Sequence, residues 1–288
     1  MPYGFPSARK LKGMICDEFS NDRAAAVQAL STLCMPHQFV EFCRALRFSG
    51  QNSVDAFLER NPDYIPVGKF AIAYCLIGFE REDDLFPPNP EQHLYEYIFS
   101  QLGGDVQRFG ENKLSVLTFN YDRSLEHFLE TALFNSNSKT TSREDVWAAL
   151  GHVPIIHLYG QLAPLPWQER QYARQYEHGA SAQNVARAAQ FIKIISEKAN
   201  EDLEDDSEFQ QAWEIIEKAK QICFLGFGYH RTNLERLRID NSNGRWNICG
   251  TARGLEYSEK TRVIQMLGNA TLDAIDSMQL LRHYGLLQ

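Results

Sequence analysis

Leu114-Ser115-Val116-Leu117-Thr118-Phe119-Asn120-Tyr121-Asp122-Arg123 is the stretch that decides the fold. Its first six residues form a short apolar run bounded by polar ones, which is how a buried strand reads. A helical pattern then runs from Arg123 to Phe134, so strand gives way to helix within three residues. That switch is typical of parallel sheets, whose strands need long crossover connections. Three more strand signals follow at wide spacing, Val153 to Leu158, Gln221 to Leu225 and Trp246 to Cys249. Helical patterns lie between and after them, at Ala182 to Lys198, Glu208 to Lys220 and Ser258 to Leu267. Short apolar strands alternating with longer helices predict an α/β fold with a mostly parallel sheet flanked by helices.

Upstream of this core the sequence reads as helical. Leu11, Met14, Ile15 and Phe19 recur at helical spacing, and Ala24 to Leu33 and His37 to Leu46 continue the pattern. Ser53 is suited to cap a short helix carrying Val54, Phe57 and Leu58. Lys69 to Phe79 reads as a buried helix, Phe86 to Pro90 as a loop and Glu91 to Leu102 as another helix. The acidic run over 199–208 reads as a solvated helix end or loop rather than a metal site.

Composition limits the function. The 288 residues are 44% hydrophobic and 23% charged, an ordinary globular balance. A net charge of −8 argues against direct nucleic-acid or anionic-membrane binding through net charge. No apolar run is long enough to span a membrane, and the start, Met1-Pro2-Tyr3-Gly4-Phe5-Pro6-Ser7, lacks the basic and apolar regions of a signal peptide. Cys16, Cys34, Cys43, Cys75, Cys223 and Cys249 include no C-x-x-C pair. They read as reduced core thiols of a cytoplasmic protein, with no metal site expected.

Open parallel sheets bind ligands beyond the carboxyl ends of their strands. The residues there are Asn120, Tyr121 and Asp122 after the first strand, and His157, Tyr159 and Gly160 at the second. Gly226, Phe227, Gly228 and Tyr229 follow the third, and Gly250, Thr251 and Ala252 the fourth. Each has an ordinary explanation too. Asp122 can simply cap the next helix, His157 can be a satisfied core histidine, and a Gly-x-Gly can be a tight turn. Asn120 is harder to explain as packing, because its carboxamide offers a donor and an acceptor at a strand end. His157 is suited to general base work near neutral pH.

In their order these motifs resemble the sirtuin-like family, above all its prokaryotic NAD-hydrolysing, antiviral-defence branch. Thr118-Phe119-Asn120-Tyr121-Asp122 is similar to that family's Thr-x-Asn-x-Asp motif, and Ile156-His157-Leu158-Tyr159-Gly160 to its His-Gly region. Phe224 to Tyr229 is similar to its later glycine turn, and Ser53 to Leu58 to a helical segment common in the branch. The resemblance covers nearly the whole chain. It implies one Rossmann-like domain over 1–288, with helical insertions at about 20–112 and 163–215. It also implies that the chain starts just after the family's first strand and Gly-Ala-Gly-x-Ser loop. The first central strand would then be absent and NAD binding weakened, with Tyr3, Phe5 and Pro6 in the lid that follows the loop.

The activity so implied is cleavage of NAD, as substrate, to nicotinamide and ADP-ribose. Asn120 and His157 would be catalytic, Asn120 holding the ribose or a water and His157 activating a hydroxyl or the water. The two are expected to face one cleft. Asp122 would orient the pocket, Gly226, Gly228 and Tyr229 would line the dinucleotide, and Gly250 and Thr251 its adenosine side. The resemblance further implies a homo-oligomer and a separate partner, such as a sensor, an ATPase or an Argonaute-type protein. Beside a blander reading, an unrelated doubly wound protein in which Asn120 and His157 lie far apart, two rivals stand against this one. One is a non-enzymatic scaffold or regulatory subunit on a degenerate NAD fold. The other is a protein deacylase, which the lack of paired zinc cysteines disfavours.

Overall fold

The computed structural model describes residues 4–88, 93–194, 206–239, 243–285 and 287. It is an α/β protein whose small parallel sheets are flanked by helices, the Rossmann-like class expected. All four anticipated strands are present: β1 (Val116–Thr118), β2 (Ile155–His157), β3 (Gln221–Phe224) and β4 (Asn247–Thr251). A fifth, β5 (Ala270–Asp273), was not legible in the sequence. The strands divide between a two-stranded sheet, β1–β2, and a three-stranded sheet in the order β3–β4–β5. Tyr3, the acidic residues 199–205 and the expected helix end at 195–198 lie outside the described residues.

The chain forms two compact units interleaved in sequence. The first comprises Met1–Asn89, Thr118–Thr131 and His157–Leu203; the second comprises Pro90–Leu117, Ala132–Ile156 and Glu204–Gln288.

The first unit is mainly helical. Ser7 caps the helix Ala8–Glu18 by accepting from the Lys10 N–H, and Ser53 caps Val54–Arg60 by accepting from the Ala56 N–H at 3.1 Å. Each cap satisfies a backbone donor that the helix leaves unpaired. Ile65–Ile77 is apolar almost all round and is correspondingly buried. Ile15, Phe19, Phe39, Phe42, Leu46 and Leu58 are fully buried, and Phe19 stacks on Phe39 with ring centroids 5.1 Å apart. Each side chain of this size contributes about 1.5–3 kcal/mol when removed from water. The helix Ala182–Phe191 packs on Ile65–Ile77. It stops earlier than its sequence pattern suggests because Ile192 turns extended and bridges Gly160 in antiparallel fashion.

The second unit holds the three-stranded sheet. Cys223 pairs with Cys249 and Phe224 with Gly250 between β3 and β4; Gly250 pairs with Leu272 and Thr251 with Asp273 between β4 and β5. Asp206, in the acidic run, caps the helix Ser207–Lys218 by accepting from the Phe209 N–H. The helix Tyr257–Leu267 connects β4 to β5, and Ser277–Tyr284 follows with a capping box from Asp276 and Gln279. Among the described residues no helix is long and apolar enough to cross a membrane. All six cysteines are free; Cys34 and Cys223 are half-buried and the others buried.

Candidate functional site

In the first unit, Asn120, Asp122 and His157 come together. Asn120 follows the end of β1 and is exposed, whereas His157 closes β2 and is only 7% exposed. The two motifs meet through backbone: His157 Nδ1 donates to the Asn120 carbonyl oxygen at 2.7 Å. The other ring nitrogen, Nε2, lies 2.5 Å from Glu126 Oε1, whose side chain is also buried. Burial alone would lower the imidazole pKa. The Glu126 charge and hydrogen bond, the Asn120 carbonyl and the nearby Asp122 outweigh it, so the value stands raised. Nδ1 must donate, since a carbonyl oxygen only accepts, and Nε2 donates to Glu126 when that carboxylate is ionised, so both ring nitrogens are engaged in this geometry.

The helix Ser124–Asn137 supplies the support. Glu126 sits in its first turn, where a negative charge is favoured by the helix dipole. Asp122 Oδ1 accepts from both the hydroxyl and the N–H of Ser124, as a residue entering a helix does. Burial pushes the Asp122 carboxyl up, against the lowering effect of the Ser124 bond. Asp122 is thus occupied at the helix start, and the structure accounts for it without a ligand.

The rest of the segment is held from other elements. The Tyr121 carbonyl accepts from the Leu162 N–H at 2.9 Å, and the Tyr121 hydroxyl donates to Asp55 Oδ1 at 2.7 Å. Burial raises the Asp55 carboxyl, which the tyrosine bond partly offsets. Arg123 is fully buried, with Nε 2.9 Å and Nη2 2.8 Å from the two oxygens of Glu80. Its Nη1 donates to the carbonyls of Ala163 and Arg174. Arg174 also bonds Glu80, so one buried carboxylate is gripped by two guanidinium groups. Of the four residues 120–123, Asn120 alone is exposed.

Gly160 has a structural reason to be glycine. Its φ is +78°, and an added Cβ would fall 1.8 Å from the Phe191 carbonyl oxygen. The backbone there runs hard against the helix end, with Gln161 N–H donating to Phe191 O and Lys193 N–H to Tyr159 O.

In the second unit, Gly226, Gly228, Tyr229, Gly250 and Thr251 gather around the ends of β3 and β4. Gly226 and Gly228 are exposed, with open space where a Cβ would stand. The other three are buried and engaged with one another. The Tyr229 hydroxyl donates to the Thr251 carbonyl at 3.0 Å, and Thr251 Oγ1 accepts from the Gly226 N–H at 2.8 Å. A Cβ on Gly250 would meet the Tyr229 hydroxyl at 2.2 Å and Phe224 Cβ at 3.0 Å. These contacts make Gly250 and Tyr229 a fitted pair and leave the two exposed glycines as the backbone a ligand could approach.

Glu126, Asp55, Glu80 and Arg174 are the supporting residues that sequence reasoning passed over. Glu126 had only a general signal, an acid in the first turn of the helix that follows the Asn120 motif. Asp55 stood inside the noted Ser53 to Leu58 segment, but its partner is 66 residues away. Among the described residues no group of three or more His, Cys, Asp or Glu is arranged to hold a metal ion. Compared with known proteins, the chain matches no family model, no curated protein and no solved structure.

Proposed function

We propose that this chain is a sirtuin-like NAD hydrolase, with Asn120 as the side chain that meets the substrate. The observation that carries the reading is the exposed Asn120 carboxamide, set on a peptide whose carbonyl is held by His157. A preorganised polar group at the carboxyl end of a parallel strand is where an open α/β sheet places its ligand contacts. Asn120 would hold a ribose hydroxyl or the attacking water. The bond from ribose C1′ to the nicotinamide nitrogen breaks, and its electron pair leaves with neutral nicotinamide. Water forms the new C1′–O bond and releases one proton, giving ADP-ribose. Because the leaving group departs neutral, the step asks more for positioning than for a strong base.

Exposed Gly226 and Gly228 are the candidate backbone for the dinucleotide. The same reading includes a cytoplasmic setting, a role in prokaryotic antiphage defence, a homo-oligomer and a separate sensor, ATPase or Argonaute-type partner. It rests on the motif resemblance for these points.

The test is nicotinamide release from NAD by wild type and by Asn120→Ala, with and without candidate partners. The variant is expected to lose release at least 10²-fold. As an exposed substitution it should leave unfolding free energy within about 0.5 kcal/mol. Equal release by both would remove Asn120 from the site. A second reading, a non-enzymatic NAD-fold scaffold, is favoured by the engagement of both His157 nitrogens. NAD binding without any nicotinamide release would support it.

A further inference from the structure

Glu126 belongs to no motif singled out in the sequence, yet it makes the shortest contact to the His157 ring. The two side chains are 1% and 5% exposed, so no bulk water competes for their bond. The opposite ring nitrogen is already committed to the Asn120 carbonyl. A ring held at both nitrogens has one orientation left.

We propose that Glu126 is a positioning residue. Its carboxylate fixes the His157 ring so that Nδ1 stays on the Asn120 carbonyl, and His157 works as a double hydrogen-bond donor that sets the Asn120 peptide rather than as a base. As a statement about catalysis this rests on the NAD-cleaving reading. As a statement about geometry it stands alone.

The chain of contacts is short and continuous. Glu126 is anchored in the first turn of the helix Ser124–Asn137 and reaches His157 at 2.5 Å. His157 reaches the Asn120 carbonyl, while the Asn120 N–H donates to Thr118 Oγ1 at 3.1 Å. The next peptide is held by the Leu162 N–H, and the Tyr121 ring by Asp55. The backbone on both sides of Asn120 is thereby fixed, while its carboxamide stays exposed. The charged groups acting on the ring are Glu126 and Asp122, both negative when ionised, and both favour a protonated ring. The arrangement follows the way a metal-bound histidine is oriented by an outer carboxylate, with a peptide carbonyl in the metal's place.

The test uses the intact chain with 15N-labelled histidine, the His157 signals being identified by their loss in His157→Gln. In wild type at pH 7.5 both ring nitrogens are expected to be protonated. In Glu126→Gln the ring should titrate at least tenfold more acidic in proton affinity. Nicotinamide release should then fall in kcat, by up to about 10²-fold for a misplaced reacting geometry, with KM for NAD within about twofold. Glu126→Asp should recover part of both. A wild-type ring carrying one unprotonated nitrogen at pH 7.5 would overturn the proposal, and so would an unchanged titration in folded Glu126→Gln. If Glu126→Gln does not fold, the wild-type ring state and Glu126→Asp decide. If wild type releases no nicotinamide, the NAD-cleaving reading fails, while the ring measurement still decides what Glu126 does. A residue that only stabilised the fold would lower the melting temperature without moving the His157 titration.

Discussion

At the scale of single residues, charge buried in pairs shapes the site most. The His157 pKa is raised above its ordinary value of 6.5, so the folded state binds the proton more tightly than the unfolded chain. The stability this contributes is complete below about pH 6.5 and is lost as pH rises through the higher folded value. His157→Gln removes the titrating ring and leaves Glu126 without its cationic partner. The loss should be on the order of 3–5 kcal/mol at pH 6, with the gap to wild type narrowing toward pH 9 in urea unfolding. A gap that widens with pH would mean that the ring is neutral when folded. Residue-level reading singled out Asn120 and His157 because their types are unusual at strand ends. It missed Glu126 because a glutamate early in a helix is also just what the helix dipole favours.

At the scale of elements, the strand ends are locked by fitted contacts rather than by propensity. β3 and β4 are joined beyond their ladder by the Tyr229 hydroxyl on the Thr251 carbonyl, which passes over the bare Cα of Gly250. Gly250→Ala should cost about 1–3 kcal/mol by overpacking. In a Tyr229→Phe background the same change should cost roughly 1 kcal/mol less, because the clashing oxygen is gone. Additive costs in a double-mutant cycle would show that Tyr229 moves aside freely. Helix starts were largely legible, since Ser53 caps Val54–Arg60 as its type suggests. β5 was not, because Ala270-Thr271-Leu272-Asp273 carries only two buried apolar residues and its preceding turn, Gly268-Asn269, reads as any loop. Both turn residues have φ of +62°.

At the scale of the whole molecule, each compact unit is assembled from three separate segments. The first unit needs residues 1–89 as well as the Asn120 and His157 motifs, so its core cannot form from the C-terminal part alone. A fragment of residues 118–288 lacks Phe19, Phe39 and Phe42 and should show no cooperative urea transition for the first unit. A fragment that kept the full cooperative unfolding of the intact chain would contradict that assembly. By itself the sequence determined the α/β class, four of the five strands among the described residues and which residues stand at their ends, because hydrophobic periodicity and turn chemistry are local. Only the tertiary structure decided that the strands divide between two sheets. It also decided that His157 is gripped at both nitrogens and that Tyr121 and Arg123 are tied to Asp55 and Glu80. Those partners lie 31 to 66 residues apart. No local pattern encodes such pairings, since a buried charge is stable only where the fold delivers its counter-charge.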